Sequence, residues 1–251
     1  MIESTKHEGI LTLRLAHGKA SALDLELIEA LALAFAEANA ADDVNAVILT
    51  GTGSIFSAGV DLFRMTDQGR AYTEQFVPAL SRMVLDLFSF PKPLVVAANG
   101  HAIAGGCILT LAADYRLMAA GNGRIGMPEL LVGVPFPAAI LEVVRFCVSP
   151  QHVQSLIYTG RTVPPDDALR LGFVDEVVAP DALLTRAGEI ARHLAALPPK
   201  LFAMTKHQLR DKAISRAKHY ANELDDDVRE IWGDDATHER IRAYLAKTVR
   251  K

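Results

Sequence analysis

The sequence predicts an α/β fold with a helical C-terminal region, and three observations carry that expectation. The chain opens with a strand, long helix, strand pattern. A wholly apolar strand, Leu94–Ala98, stops at the turn pair Asn99-Gly100. After Gly133 helical spacing dominates. Strand, helix, strand is the start of a parallel sheet joined by right-handed crossovers.

In chain order, Ile10–Leu15 alternates apolar and less apolar residues and reads as a half-buried strand. Residues 23–40 are rich in Ala, Leu and Glu at helical spacing. Residues 45–50 form a short buried strand closed by Gly51 and Gly53. A second helix is expected over 71–88, ending before Pro91 and Pro93. Gly105-Gly106 precedes a short apolar helix over 107–113, and Tyr115–Ala119 returns as a strand. Helices are then expected near 136–147, 151–158, 165–171, 181–196, 199–215, 217–231 and 235–248, with 173–178 the one strand among them. This divides the chain into an α/β core, 1–193, and a helical region, 194–251.

A length of 251 residues, half of them apolar, suits one α/β domain with a helical appendage. The formal charge of −4, with both signs interspersed, gives no general attraction to nucleic acid or anionic lipid. The longest apolar stretch, 102–113, stops at Asp114 and is too short to span a bilayer. Residues 1–8 have no apolar run and no small-residue cleavage site. Cys107 and Cys147 are far apart and lack metal-ligand spacing. A reducing cytoplasm, no disulfide and no metal are therefore expected.

Two small-residue turns stand out, Phe56-Ser57-Ala58-Gly59-Val60-Asp61-Leu62 and Ala102-Ile103-Ala104-Gly105-Gly106-Cys107. Read singly, each is only a tight turn or a site of close packing. Read together, they suit stabilisation of a developing oxyanion. Small side chains let a ligand approach the backbone, and two N–H donors can then share one oxygen. A helix starting after Gly105 adds its positive end.

These segments, with Pro91-Lys92-Pro93 through Asn99-Gly100-His101, Ala113-Asp114-Tyr115-Arg116, Ile125-Gly126-Met127-Pro128-Glu129 and Gly172-Phe173-Val174-Asp175, resemble the crotonase (enoyl-CoA hydratase/isomerase) superfamily. The resemblance covers about residues 8–248. It implies a crotonase-like spiral of ββα units, with 194–251 as a trimerisation region. It implies an acyl-CoA thioester substrate, with coenzyme A part of the substrate and no separate cofactor, and a homotrimer or dimer of trimers. By the same resemblance Ala58 and Gly105 supply the oxyanion-hole amides. Lys19, Ser21 and Ala22 belong to the turn beside the CoA nucleotide. Ser57, Asp61 and Leu62 flank the same ligand, and Pro128 and Leu131 belong to the loop of the acid–base residue. Lys247, on the last helix, is a phosphate contact.

Hydratases of this superfamily use two glutamates. Here the first position is Ile108 and only the second, Glu129, is a carboxylate. Isoleucine neither holds a water firmly nor transfers a proton. A lone glutamate suffices to move a proton from the α-carbon to the γ-carbon of a 3-enoyl-CoA, and the site pattern resembles Δ3-Δ2-enoyl-CoA isomerases. The competing expectations are an atypical hydratase, another enolate-forming reaction such as decarboxylation of a malonyl-type thioester, and a non-catalytic acyl-CoA-binding protein. Ile108 lines the acyl pocket on this reading. Val134-Pro135-Phe136-Pro137 replaces a stretch that is commonly glycine-rich, which makes Phe136 pocket wall or core. His101 and Asp114 are read as structural, Asp61 also as a helix cap, and Cys107 as inert packing.

Overall fold

A computed structural model describes residues 1–248. The chain begins with an antiparallel hairpin of β1 (Ile2–His7) and β2 (Ile10–Leu15). Helix α1 (Leu25–Ala40) follows, started by Asp24, whose carboxylate accepts from the Leu27 amide at 2.8 Å.

Three ββα units come next. The first is β3 (Ala46–Thr50), β4 (Ile55–Ser57) and α2 (Leu62–Ser89). The second is β5 (Leu94–Ala98), β6 (His101–Ile103) and α3 (Gly105–Leu111). The third is β7 (Tyr115–Ala119), β8 (Ile125–Gly126) and α4 (Glu129–Val132). The rest is α5 (Ala138–Cys147), α6 (Pro150–Thr159), β9 (Thr162–Val163), α7 (Pro165–Leu171), β10 (Glu176–Val178), α8 (Leu183–Ala195), α9 (Pro199–Gly233) and α10 (Asp235–Thr248).

Each unit sends its first strand to a six-stranded sheet, ordered β1-β2-β3-β5-β7-β10, and its second to a four-stranded sheet, ordered β4-β6-β8-β9. The large sheet is parallel beyond the first hairpin, with Val47 opposite Leu94 and Val95 opposite Tyr115. In the small sheet β4, β6 and β8 run parallel. The second strands of successive units therefore end side by side, and the three junctions that follow them are neighbours.

Every residue of β3 and β5 is buried, as expected where a sheet is covered on both faces. Val47, Leu49, Leu94 and Val96 face the main core, while Ile48, Val95 and Ala97 face a second cluster closed by Leu183, Ala187 and Ala191 of α8. Helices α9 and α10 pack on α2, and their Ala213, Val228, Trp232 and Ile241 belong to the main core.

Several expectations are corrected here. Strand β1 escaped notice because five of its six residues are exposed and polar. Strands β4, β6, β8 and β9 are two or three residues long, too short for a period of two to show. Helix α2 begins at Leu62 rather than 71, with Gly69 (φ 69°) interrupting its periodicity. The two helices expected over 199–231 are one, because Ser215-Arg216-Ala217 contains no breaker. The expected strand over 173–178 contracts to Glu176–Val178.

Candidate active site

The junctions β4–α2 and β6–α3 meet backbone to backbone. Gly59 has φ +82°, and a methyl group on it would lie 2.6 Å from Ile103 O, 2.7 Å from Ala104 Cβ and 2.9 Å from Gly105 N. Only glycine fits this conformation and this space. Gly106 is equally close-packed, since a methyl there would sit 2.3 Å from Ser57 O.

The turn 20–23 clamps the first junction. Leu23 N donates to Gly59 O at 2.7 Å and Asp61 N donates to Leu23 O at 2.9 Å. In such a parallel bridge the residue between the two bonds, Val60, turns its own N–H away from the partner strand. The Ala58 amide donates to Ala20 O at 2.9 Å, and the Gly59 amide to Ser57 Oγ at 3.2 Å. Val60 N–H has no acceptor among the described residues. Gly105 N–H, at the first position of α3, has none either. The free pair is thus Val60 and Gly105. The expected donor Ala58 contributes to the pocket wall instead, its N–H already engaged.

Two strained residues brace these turns. Ala104 has φ 51° with ψ −121° and Ser21 has φ 43°. Such backbone states cost about 1–3 kcal/mol each and persist only where surrounding contacts enforce them. Ser21 O accepts from the fully buried Ser57 hydroxyl at 2.8 Å, and Ala104 N donates to Gly126 O at 2.8 Å.

The third junction, β8–α4, presents Glu129. Pro128 starts the helix, and Gly133 in the left-handed region (φ 98°) ends it after one turn, its amide returning to Glu129 O at 2.9 Å. The Glu129 carboxyl is buried, and its Oε2 has no hydrogen-bond partner among the described residues. Burial pushes its pKa up to about 8, against a smaller lowering by its own backbone amide.

Ala58, Val60, Gly105 and Glu129 share one pocket. Its other walls are apolar: Leu62, Leu80, Pro128, Val132, Phe136 and Ile140 among them. Helices α9 and α10 close it with Trp232 and Tyr244. The Trp232 indole donates to Pro135 O at 2.8 Å. The Tyr244 phenol is pushed above its ordinary pKa by burial and by the nearby Glu129.

Leu62, Pro128 and Phe136 thus stand in the pocket wall, as the sequence reading has them. The other expected substrate-binding residues sit outside the lining. Ile108 is fully buried in the core outside the lining. Leu131 is 56 % exposed and turns outward, its side chain against Gly160. Ser57 directs its hydroxyl into the turn network, and Asp61 caps α2 through the Arg64 amide at 3.0 Å. Lys19 is exposed and Ala22 half-buried on the clamping turn, and Lys247 is exposed on α10. Val60, Trp232 and Tyr244 were missed. The pairing of 20–23 with 58–61 is long-range and leaves no local signature, and helical spacing does not tell which face of a late helix covers a pocket.

Away from the pocket, Asp114 joins two buried cations. Lys206 Nζ lies 2.7 Å from Asp114 Oδ2 and Arg210 Nη2 lies 3.0 Å from Oδ1. Asp114 also accepts from Leu94 N at 2.8 Å, so the cluster fastens α9 to β5 and α3. Burial lowers the Lys206 pKa to about 8 despite Asp114. Cys107 is fully buried and its thiol pKa is raised well above the ordinary value. Among the described residues no group of three His, Cys, Asp or Glu side chains is placed to hold a metal, and no helix is long and apolar enough to cross a membrane.

Comparison with known proteins agrees with this geometry. The chain matches the sequence profile described as "Enoyl-CoA hydratase/isomerase" over residues 5–249. It is 33 % identical to a carnitinyl-CoA dehydratase of Salmonella arizonae over 221 residues, covering 86 % of this chain and 84 % of that one. Among solved structures, an enoyl-CoA isomerase of Mycobacterium tuberculosis superposes with a TM-score of 0.82 at 32 % identity, over 88 % of this chain and 96 % of that one. Human mitochondrial Δ3-Δ2-enoyl-CoA isomerase superposes with a TM-score of 0.92 at 25 % identity, over 98 % and 97 %. With three ββα units, their junctions gathered on one pocket and a profile match along almost its whole length, this chain belongs to the enoyl-CoA hydratase/isomerase family.

Proposed function

We propose that the protein moves the double bond of a 3-enoyl-CoA to the 2-position. The observation that carries this reading is the single carboxylate of the pocket, Glu129, buried among apolar walls with an unpartnered oxygen beside two free amides. The thioester oxygen sits between Val60 N–H and Gly105 N–H, which draw electron density from the α-carbon. Glu129, as carboxylate, takes a proton from C2. The electron pair moves onto the thioester oxygen, giving a dienolate. Glu129, now the acid, returns the proton at C4 and the 2-enoyl product forms with no net gain or loss of protons. The apolar walls exclude water from the intermediate and raise the Glu129 pKa, which keeps the acid form available for the second step. The CoA portion extends past the turn bearing Lys19, Ser21 and Ala22, and Lys247 of a neighbouring copy meets its phosphates.

The test is direct. Purified protein converts 3-enoyl-CoA to the conjugated 2-enoyl product, followed by its ultraviolet absorbance, and Glu129→Gln abolishes conversion while acyl-CoA binding persists. Full activity in that variant would remove Glu129 from the mechanism.

A second reading, elimination of water from a 3-hydroxyacyl-CoA, is favoured by the name of the carnitinyl-CoA dehydratase relatives. There Glu129 takes the C2 proton and gives it to the departing C3 hydroxyl. Against it stands Ile108, an isoleucine where the family's hydratases carry a second glutamate. Incubation with 3-hydroxyacyl-CoA separates the two readings, since only the eliminating enzyme lowers the substrate mass by one water.

A further inference from the structure

Phe136 walls two cavities. On one side lies the pocket of Glu129. On the other, between α5 and α9, lies a second cavity, open to solvent at Leu224 and lined by Ala138, Leu141, Tyr220, Leu224 and Val228, with the Glu142–Arg145 ion pair at its rim. The residue is buried, 7 % exposed, and stands where the two linings meet.

The backbone that carries this ring is held on both sides. Pro135 O accepts from Trp232 Nε1 at 2.8 Å, and Ala138 N donates to Asp225 Oδ1 at 2.9 Å. Prolines at 135 and 137 fix φ on either flank. The main chain is pinned, so the freedom that remains at this point is rotation of the Phe136 side chain. Both cavities are lined mainly by aliphatic and aromatic side chains, and the charged groups of the second are paired with each other. A hydrocarbon chain is the ligand that two apolar spaces separated by one phenyl ring fit; a polar or charged tail would be desolvated there without partners.

We propose that Phe136 is the partition that sets acyl chain length, and that the cavity between α5 and α9 is a distal subsite for the methyl end of a long acyl chain. This rests on the reading above that the Glu129 pocket holds the acyl group of a thioester. A chain that reaches the ring stops there, and removal of the ring joins the two cavities.

The experiment measures binding of saturated straight-chain acyl-CoAs of graded length by calorimetry, which needs no turnover. In the wild type, affinity rises roughly fourfold per methylene, the factor for burying one CH2, and then levels off. In Phe136→Ala the rise continues over further methylenes. Phe136→Leu, which keeps a shorter apolar wall, extends it by fewer. Adding Leu224→Trp to Phe136→Ala, to fill the second cavity from its exposed side, restores the wild-type plateau. A plateau at unchanged length in both single variants overturns the partition. So does an extended rise that Leu224→Trp leaves untouched. Wild-type binding without isomerisation counts against the proposed reaction alone, whereas a wild type that binds no acyl-CoA overturns both.

Discussion

Gly59 and Gly105 lie backbone against backbone, so close that a methyl group on the first would rest 2.9 Å from the amide nitrogen of the second. The two are unequal in what they tolerate. A methyl on Gly59 meets main-chain atoms and a φ of +82°, whereas one on Gly105 meets the end of the Leu23 side chain at 2.6 Å and otherwise only Gly59 Cα at 3.5 Å. Gly59→Ala is therefore expected to destabilise by about 1–3 kcal/mol from backbone strain alone and to lower kcat/KM by about 10²- to 10³-fold as the amide pair separates. Gly105→Ala costs less in both. Thermal unfolding and steady-state turnover of the two variants check the order, and equal losses would contradict it.

The pH dependence of turnover follows from Glu129. Its pKa of about 8 means that the carboxylate from which the proposed reaction starts is the minor form at neutral pH. Activity as kcat/KM should rise with pH through a midpoint near 8. A rate independent of pH over that range would exclude Glu129 as the base.

Stability follows the same group with the opposite sense. The folded-state pKa is raised from 4.5 to about 8, so the folded chain holds a proton that the unfolded chain releases. Folding stability is unaffected by Glu129 below 4.5, falls between 4.5 and about 8, and is level above. Glu129→Gln lacks this fall. Denaturant melts of both proteins at several pH values should diverge across that window in favour of the variant.

Asp114 is the shared partner of two buried cations, Lys206 and Arg210. Asp114→Ala leaves both without their counter-charge and frees the Leu94 amide, so a loss of about 3–5 kcal/mol is expected. Chemical denaturation measures it. A change below about 1 kcal/mol, the range of an exposed pair, would mean that water reaches the cluster.

Ser57→Ala tests the clamp under the oxyanion-binding turn. The hydroxyl donates to Ser21 O and accepts from Gly59 N, and both partners are left without it. A cost of about 1–3 kcal/mol is expected, with KM for acyl-CoA rising as the turn at residue 21 loosens. Unchanged KM would confine the serine to stability.

Most of the large sheet was legible because β3 and β5 are apolar runs between strong turn signals, whereas the exposed, polar β1 at its edge was not. The small sheet was not, because its strands are held by pairing between units rather than by any pattern of their own. Within the site, Gly105 and Glu129 were readable from local text, a glycine pair opening a helix and a glutamate following a proline. The partner amide was misread as Ala58 rather than Val60. That distinction depends on which N–H groups the distant segment 20–23 takes up, a matter of tertiary pairing. The expected roles of Ile108 and Leu131 in the pocket failed for a related reason. Position in sequence near the site does not say which way a helix faces, and both side chains turn from it. Trp232 and Tyr244 arrive from late helices whose periodicity marks them only as amphipathic.

Each turn of the ββα spiral contributes one edge of the pocket: Val60 from the first, Gly105 from the second, Glu129 from the third. The labour of the reaction is thereby divided among repeats. In the proposed reaction two turns grip the carbonyl and the third handles the proton. A chain so arranged can exchange its acid–base group by altering the loop after β8 while the grip stays intact. New chemistry on the same thioester is then one short loop away from the old.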